Sequence, residues 1–139
     1  MAETAVAVTL DPKTLRATGR RKRAVARVRL APGTGTMTVN GRSCDAYFPR
    51  EALRLSIKAP LLLTHQLGKF DMMANVDGGG MTGQADAIKL GIARILVQLD
   101  PSTKANLHNA GLLTRDPRER ERKKYGQKGA RKRFQWTKR

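Results

Sequence analysis

Arg23-Ala24-Val25-Ala26-Arg27-Val28-Arg29-Leu30 is the stretch that decides the architecture. Ala24, Ala26, Val28 and Leu30 fall on one face, and Arg23, Val25, Arg27 and Arg29 on the other. A period of two with one polar face specifies a half-buried strand. Here the wet face is built of arginine. Just upstream, Gly19-Arg20-Arg21-Lys22 runs straight into it, so that residues 16–29 hold seven basic residues and no acid. Downstream, Pro32-Gly33-Thr34-Gly35 supplies a turn and residues 36–39 a return strand, closed by the turn pair Asn40-Gly41.

Further along, Pro49 and Glu51 suit the first turn of a helix, where a missing N–H is harmless and a carboxylate meets the positive end. Leu53 and Ile57 recur at i, i+4 before Pro60 breaks or kinks that helix. A short apolar piece ends at Gly68. Phe70, Met72, Ala74 and Val76 then alternate with Asp71, Met73, Asn75 and Asp77, a second one-sided strand. Ile88, Ile92, Ile95, Leu96 and Leu99 form a single apolar stripe at helical spacing. Asp100-Pro101 caps and starts one more short helix, stopped at Gly111. A last strand is expected near residues 112–114. Strands with helices gathered on one face of the sheet make an α+β domain. The arginine face therefore points outward, away from the helices.

Charge divides the chain in three. Residues 30–103 carry seven basic and six acidic residues, and residues 104–139 carry thirteen basic against three acidic, within a total of +17 over 139 residues. The last eighteen residues alone hold nine Lys or Arg and no acid. Such a run cannot enter a core, because each unpaired buried cation costs several kcal/mol. Fully extended, it would reach roughly 60 Å. The expected organisation is a mobile extension over residues 1–17, an RNA-binding body over 18–116 and an extended basic tail over 117–139. Arginine binds phosphate bidentately and stacks on bases, so the arginine-weighted patch suits structured RNA. In the tail, Tyr125, Phe134 and Trp136 are spaced among cations, as in segments that stack on bases, though they would also pack on a neighbouring protein.

Other chemistries find little support. The single Cys44 forms no internal disulfide, no Cys/His cluster suggests a metal, and the expected compartment is the reducing cytoplasm. Glu3 stands where a secretion signal needs positive charge, and Leu61-Leu62-Leu63 is too short to span a bilayer; no membrane partner is expected. His65 and His108 lack triad partners, and Asp71 and Asp77 lie about 20 Å apart along one strand, too far for paired acid–base work. Gly78, Gly80 and Gly83 satisfy G-x-G-x-x-G between a strand and a helix. The continuous helical stripe that follows leaves no second strand for the acid of that fingerprint, so no dinucleotide cofactor is expected. Gly80-Met81-Thr82-Gly83 also fits an RNA-clamping G-x-x-G loop, although a strand and not a helix precedes it. Gly79, Gly80 and Gly83 are thus either a plain turn or a phosphate-contacting one.

Several motifs together resemble one family: Gly19-Arg20-Arg21-Lys22-Arg23-Ala24-Val25-Ala26-Arg27-Val28, Val39-Asn40-Gly41-Arg42, Tyr47-Phe48-Pro49-Arg50, Gly83-Gln84-Ala85-Asp86-Ala87-Ile88, Gly91-Ile92-Ala93-Arg94, Thr114-Arg115-Asp116, Glu121-Arg122-Lys123-Lys124-Tyr125-Gly126 and the terminal Thr137-Lys138-Arg139. In order and spacing they are similar to the bacterial-type family of the ninth protein of the small ribosomal subunit, over residues 18–139. The resemblance implies a non-enzymatic body with a left-handed β-α-β crossover, seated in the subunit head on the 3′ major domain of ribosomal RNA among neighbouring head proteins. It implies that the tail reaches the anticodon stem-loop of P-site tRNA. Carried over by position, Lys138 and Arg139 contact tRNA. Arg20, Arg21, Lys22, Arg23, Arg27 and Arg29, with Arg122, Lys123, Lys124, Lys128, Arg131, Lys132 and Arg133, contact ribosomal RNA. Trp136 and Thr137 stand where the family pattern has Phe and Ser, keeping aromatic and hydroxyl character. The alternative partner is the RNA of an RNA-processing ribonucleoprotein, whose protein subunit shares this basicity.

Overall fold

A computed structural model of the chain describes residues 15–133 and 135. Its elements are β1 (Arg16–Arg21), β2 (Ala24–Pro32), β3 (Met37–Val39), β4 (Arg42–Ser43), α1 (Cys44–Tyr47), α2 (Glu51–Leu63), β5 (Phe70–Asp77) and α3 (Met81–Leu99), then a 3-10 turn (Pro101–Thr103) and α4 (Lys104–Asn109). The strands form one mixed sheet in the order β1-β2-β5-β3-β4. The α+β class expected from the sequence is the one observed.

The two alternating strands fold as their periodicity requires. Ala24, Ala26, Val28 and Leu30 of β2 and Phe70, Met72, Ala74 and Val76 of β5 are buried, while Arg27, Arg29, Met73 and Asn75 are exposed. On the buried side α3 lies across β1 and β2, and α2 packs on α3. Ile88, Ile92, Ile95 and Leu96 fill the space between them. Asp100 caps the 3-10 turn by accepting from the Ser102 N–H at 3.1 Å, as its place before Pro101 predicts.

Four expectations need correction. First, residues 36–39 do not return along β2. β5 lies between, antiparallel to β2 and parallel to β3. The cause is the Asp71 carboxylate, whose Oδ1 accepts from the N–H groups of Thr34, Gly35 and Thr36 at 3.0, 3.1 and 3.0 Å. That pins the turn to β5 and delivers the chain to its far side. Second, β1 is a strand the sequence does not announce, and it takes in Arg16 and Ala17, with Leu15 buried before it. Third, Pro60 does not break α2, which runs on to Leu63 with Pro60 buried within it. Fourth, residues 112–114 form no strand; Leu112 and Leu113 pack against the core from irregular chain.

β1 escapes a hydrophobicity reading because it packs without large side chains. A Cβ on Gly19 would sit 1.8 Å from the Ala87 carbonyl oxygen, and one on Gly91 would sit 2.7 Å from Val28 Cγ2. Backbone therefore meets backbone where β1 crosses α3. The close crossing fixes the end of β1, and with it the basic turn that follows.

Candidate nucleic-acid interface

β1 and β2 are joined by only two residues, Lys22 and Arg23, since Arg21 pairs with Ala24. So tight a turn forces Lys22 into the left-handed region, at φ +54°. Both side chains are exposed at its tip. Beside them lies the glycine turn that starts α3. Gly78 and Gly79 have positive φ, and a Cβ on Gly78 would lie 2.5 Å from the Arg23 carbonyl oxygen. Only glycine lets the two turns touch. A polar network holds the glycine turn from behind. The Tyr47 hydroxyl donates to Gln84 Oε1 at 2.8 Å, and Gln84 Nε2 donates to the Gly78 carbonyl at 3.0 Å.

Gly80 caps α3 without a side-chain acceptor, and the first turn holds no acid. The positive end of a nineteen-residue helix therefore faces Lys22 and Arg23 unneutralised. Residues of the basic C-terminal segment close the opposite side. Together Lys22, Arg23, Gly79, Gly80, residues 119–123 and residues 128–130 line one groove of about 1020 Å³. Three sets of residues far apart in sequence thus form a single cationic concavity.

Not every expected site residue joins it. Arg122, Lys123 and Lys128 line the groove. Arg27 and Arg29 stand on the open face of the sheet, and Arg20 is exposed on β1. Among the described residues, none of these three has a carboxylate at ion-pairing distance. Arg21 turns inward, its side chain only 12% exposed between Asp86 and Asp116. Gly83 is buried one turn into α3, facing the Arg21 carbonyl. Lys124 and Arg131 both pair with Glu121. These two hydrogen bonds, Lys124 first, hold the Glu121 carboxyl below its ordinary range. Lys132 and Arg133 belong to a small loop closed by the Gln127–Arg133 bridge and by Lys128 N–H donating to the Lys132 carbonyl at 2.9 Å. The described part of the tail therefore folds back on itself. Lys138, Arg139, Phe134 and Trp136 lie outside the described residues.

Glu119 and Arg120 also line the groove, and Asp86 and Asp116 hold Arg21. In the sequence, residues 118–122 stand out only as Arg118-Glu119-Arg120-Glu121-Arg122, charges that alternate in sign. Catalytic machinery is not visible among the described residues, which include no group of three metal-ligating side chains and no helix long and apolar enough to cross a membrane. Cys44 is buried, and that burial, ahead of the nearby Asp45, pushes its thiol up from the ordinary value. No doubly wound sheet surrounds the glycines.

Residues 19–139 match the model of a family described as ribosomal protein S9/S16. The chain belongs to the ribosomal protein S9/S16 family. It is 58% identical over 123 residues to a small ribosomal subunit protein uS9 of Maridesulfovibrio salexigens, a match covering 88% of this chain and 95% of the relative. A protein of the same name from Anaeromyxobacter sp. (strain K) is 58% identical over 121 residues, covering 87% and 93%. As a member of the S9/S16 family the chain is a ribosomal, RNA-binding protein of translation and not an enzyme.

Proposed function

We propose that this chain is a structural constituent of the small ribosomal subunit, in the cytoplasm, where its body braces ribosomal RNA of the head and its tail reaches P-site tRNA. The observation that carries the reading is the groove in which Lys22 and Arg23, the α3 start at Gly79-Gly80, and Arg122, Lys123 and Lys128 converge. Cations and a bare helix start suit phosphate, which positions RNA without reading its sequence. Arg20, Arg27 and Arg29 on the outer sheet face supply a second basic surface for ribosomal RNA, and neighbouring head proteins complete the setting. The left-handed sense of the β3-to-β5 crossover, and residues 117–139 as an extended basic tail, belong to the same proposal.

Lys138 and Arg139 are the proposed contacts to the anticodon stem-loop. Because each tRNA must be accepted in turn, those contacts go to phosphate. Deleting the two residues is expected to leave the chain sedimenting with small subunits while weakening P-site tRNA binding and start-codon fidelity. Unchanged tRNA affinity after the deletion would count against the tail's role, and failure to sediment with small subunits would count against the whole reading.

A further inference from the structure

We propose that Arg21 is a positioning residue that clamps the root of the C-terminal segment and so holds one wall of the RNA groove, and that it makes no phosphate contact. This rests on the groove taking RNA. All three guanidinium nitrogens are committed inside the molecule. Nε donates to Asp86 Oδ2 at 3.3 Å, Nη1 donates to the Arg118 carbonyl at 3.1 Å, and Nη2 lies 3.4 Å from Asp116 Oδ2. One fork thereby ties β1 to α3 and to residues 116–118. Asp116 is locked from its other side, with Arg118 Nη2 at 2.8 Å from Oδ2 and the Arg118 N–H donating to Oδ1 at 2.9 Å. Asp86 is also approached by Lys89 at 3.5 Å.

The next residue after this knot, Glu119, begins the wall that faces Lys22 and Gly80. Arg21 immediately precedes Lys22, so one residue sets the position of both sides. Without the clamp the wall still exists in sequence, but it has to be ordered anew at each binding event, which weakens affinity.

Electrostatics and positioning predict opposite signs for one substitution, Asp116→Asn. Removing an acid makes a strongly cationic chain still more cationic, so simple charge predicts tighter RNA binding. The clamp predicts weaker binding, by about tenfold. The probe is a transcript of the 3′ major domain of small-subunit ribosomal RNA, titrated with the full chain over a range of salt. Amide hydrogen exchange over residues 115–123 of the free protein is read alongside, with the thermal midpoint as a folding control. Asp116→Asn and Arg21→Lys should both speed exchange there by about tenfold or more and weaken RNA binding. Neither should lower the log–log salt slope, because no phosphate contact is lost. Lysine keeps the charge of Arg21 but, as a point donor, lacks the fork needed to span three partners.

Tighter or unchanged binding by Asp116→Asn, or unaltered exchange, overturns the clamp. So does an Arg21→Lys or Arg21→Ala slope lower by about 0.7 to 0.9, the mark of a lost phosphate contact. Should the wild-type chain show no affinity for the transcript, the RNA reading fails by itself, and the exchange rates alone decide whether Arg21 anchors the segment.

Discussion

Lys22 occupies a conformation that costs an L-residue about 1 to 2 kcal/mol, and it does so at the tip of the basic hairpin. Glycine would sit there without that strain. The presence of a lysine makes sense only if its charge is worth more at this tip than the stability it forgoes. The expected consequence is a trade-off. Lys22→Gly should raise the stability of the free protein by roughly 0.5 to 1 kcal/mol in urea unfolding, after allowing for the extra freedom glycine brings to the unfolded chain. The same variant should bind ribosomal RNA more weakly, with a log–log salt slope reduced by about 0.7 to 0.9 for one lost phosphate contact. Stability and affinity moving in the same direction would remove the argument that Lys22 is strained for function. Arg21, its neighbour, carries the same formal charge yet is spent on Asp86 and Asp116. Sequence alone treated the two as equivalent, because charge is visible in a residue's name and its direction is not.

Among the elements, legibility followed side-chain size. β2, β5 and α3 could be read because their buried positions include Val, Leu, Ile, Met and Phe at the right period, and burial of such groups drives folding. β1 could not, since its inward positions include Ala17 and Gly19, and what it buries is backbone against α3. The pairing of β3 was misread for a related reason. Its partner is chosen by three N–H groups converging on Asp71, a carboxylate that alternation assigned simply to a wet face. The groove was legible as charge in two places and as a glycine turn in a third, but that the places meet depends on β1 crossing α3. That crossing can be tested by adding one methyl group. Gly19→Ala places a carbon 1.8 Å from the Ala87 carbonyl oxygen, so β1 has to move off α3. A loss of about 3 kcal/mol or more is expected in urea unfolding, at the top of the range for overpacking. Gly80→Ser, where no atom lies within 4 Å, should change stability by no more than about 0.5 kcal/mol. Equal effects of the two would mean that β1 does not make this contact in solution.

At the scale of the whole molecule, a +17 chain keeps few acids, and several of them stitch the basic C-terminal segment down. Asp86 and Asp116 meet Arg21, Asp116 meets Arg118, and Glu121 meets Lys124 and Arg131. The Arg21 contacts to Asp116 and to the Arg118 carbonyl hold the root of the segment to the body, while the Glu121 pairs fold the segment on itself. The Asp116 carboxyl reports chiefly on its Arg118 partner in that root. The Arg118 side-chain hydrogen bond, followed by the Arg118 backbone N–H and with Arg21 contributing charge, lowers it from the ordinary 3.8 to about 2. A carboxylate depressed in the folded state adds stability that is fully present above its unfolded value and is lost as pH falls through the folded one. The Asp116–Arg118 contact should therefore be intact at neutral pH and be lost only between about 3.8 and 2. Carbon-13 NMR of the Asp116 carboxyl should give a midpoint near the lower figure at low salt. Arg118→Ala, which removes the largest cause while leaving Arg21 in place, should bring the midpoint most of the way back toward 3.8. A wild-type midpoint already at 3.8 would mean that the Arg118 contact to Asp116 is not made in free solution. Because Asp116 is open to water, added salt should move the wild-type midpoint upward, whereas a carboxylate sealed in the core would scarcely respond. The sense of that salt shift separates a contact at the surface from one sealed within the fold.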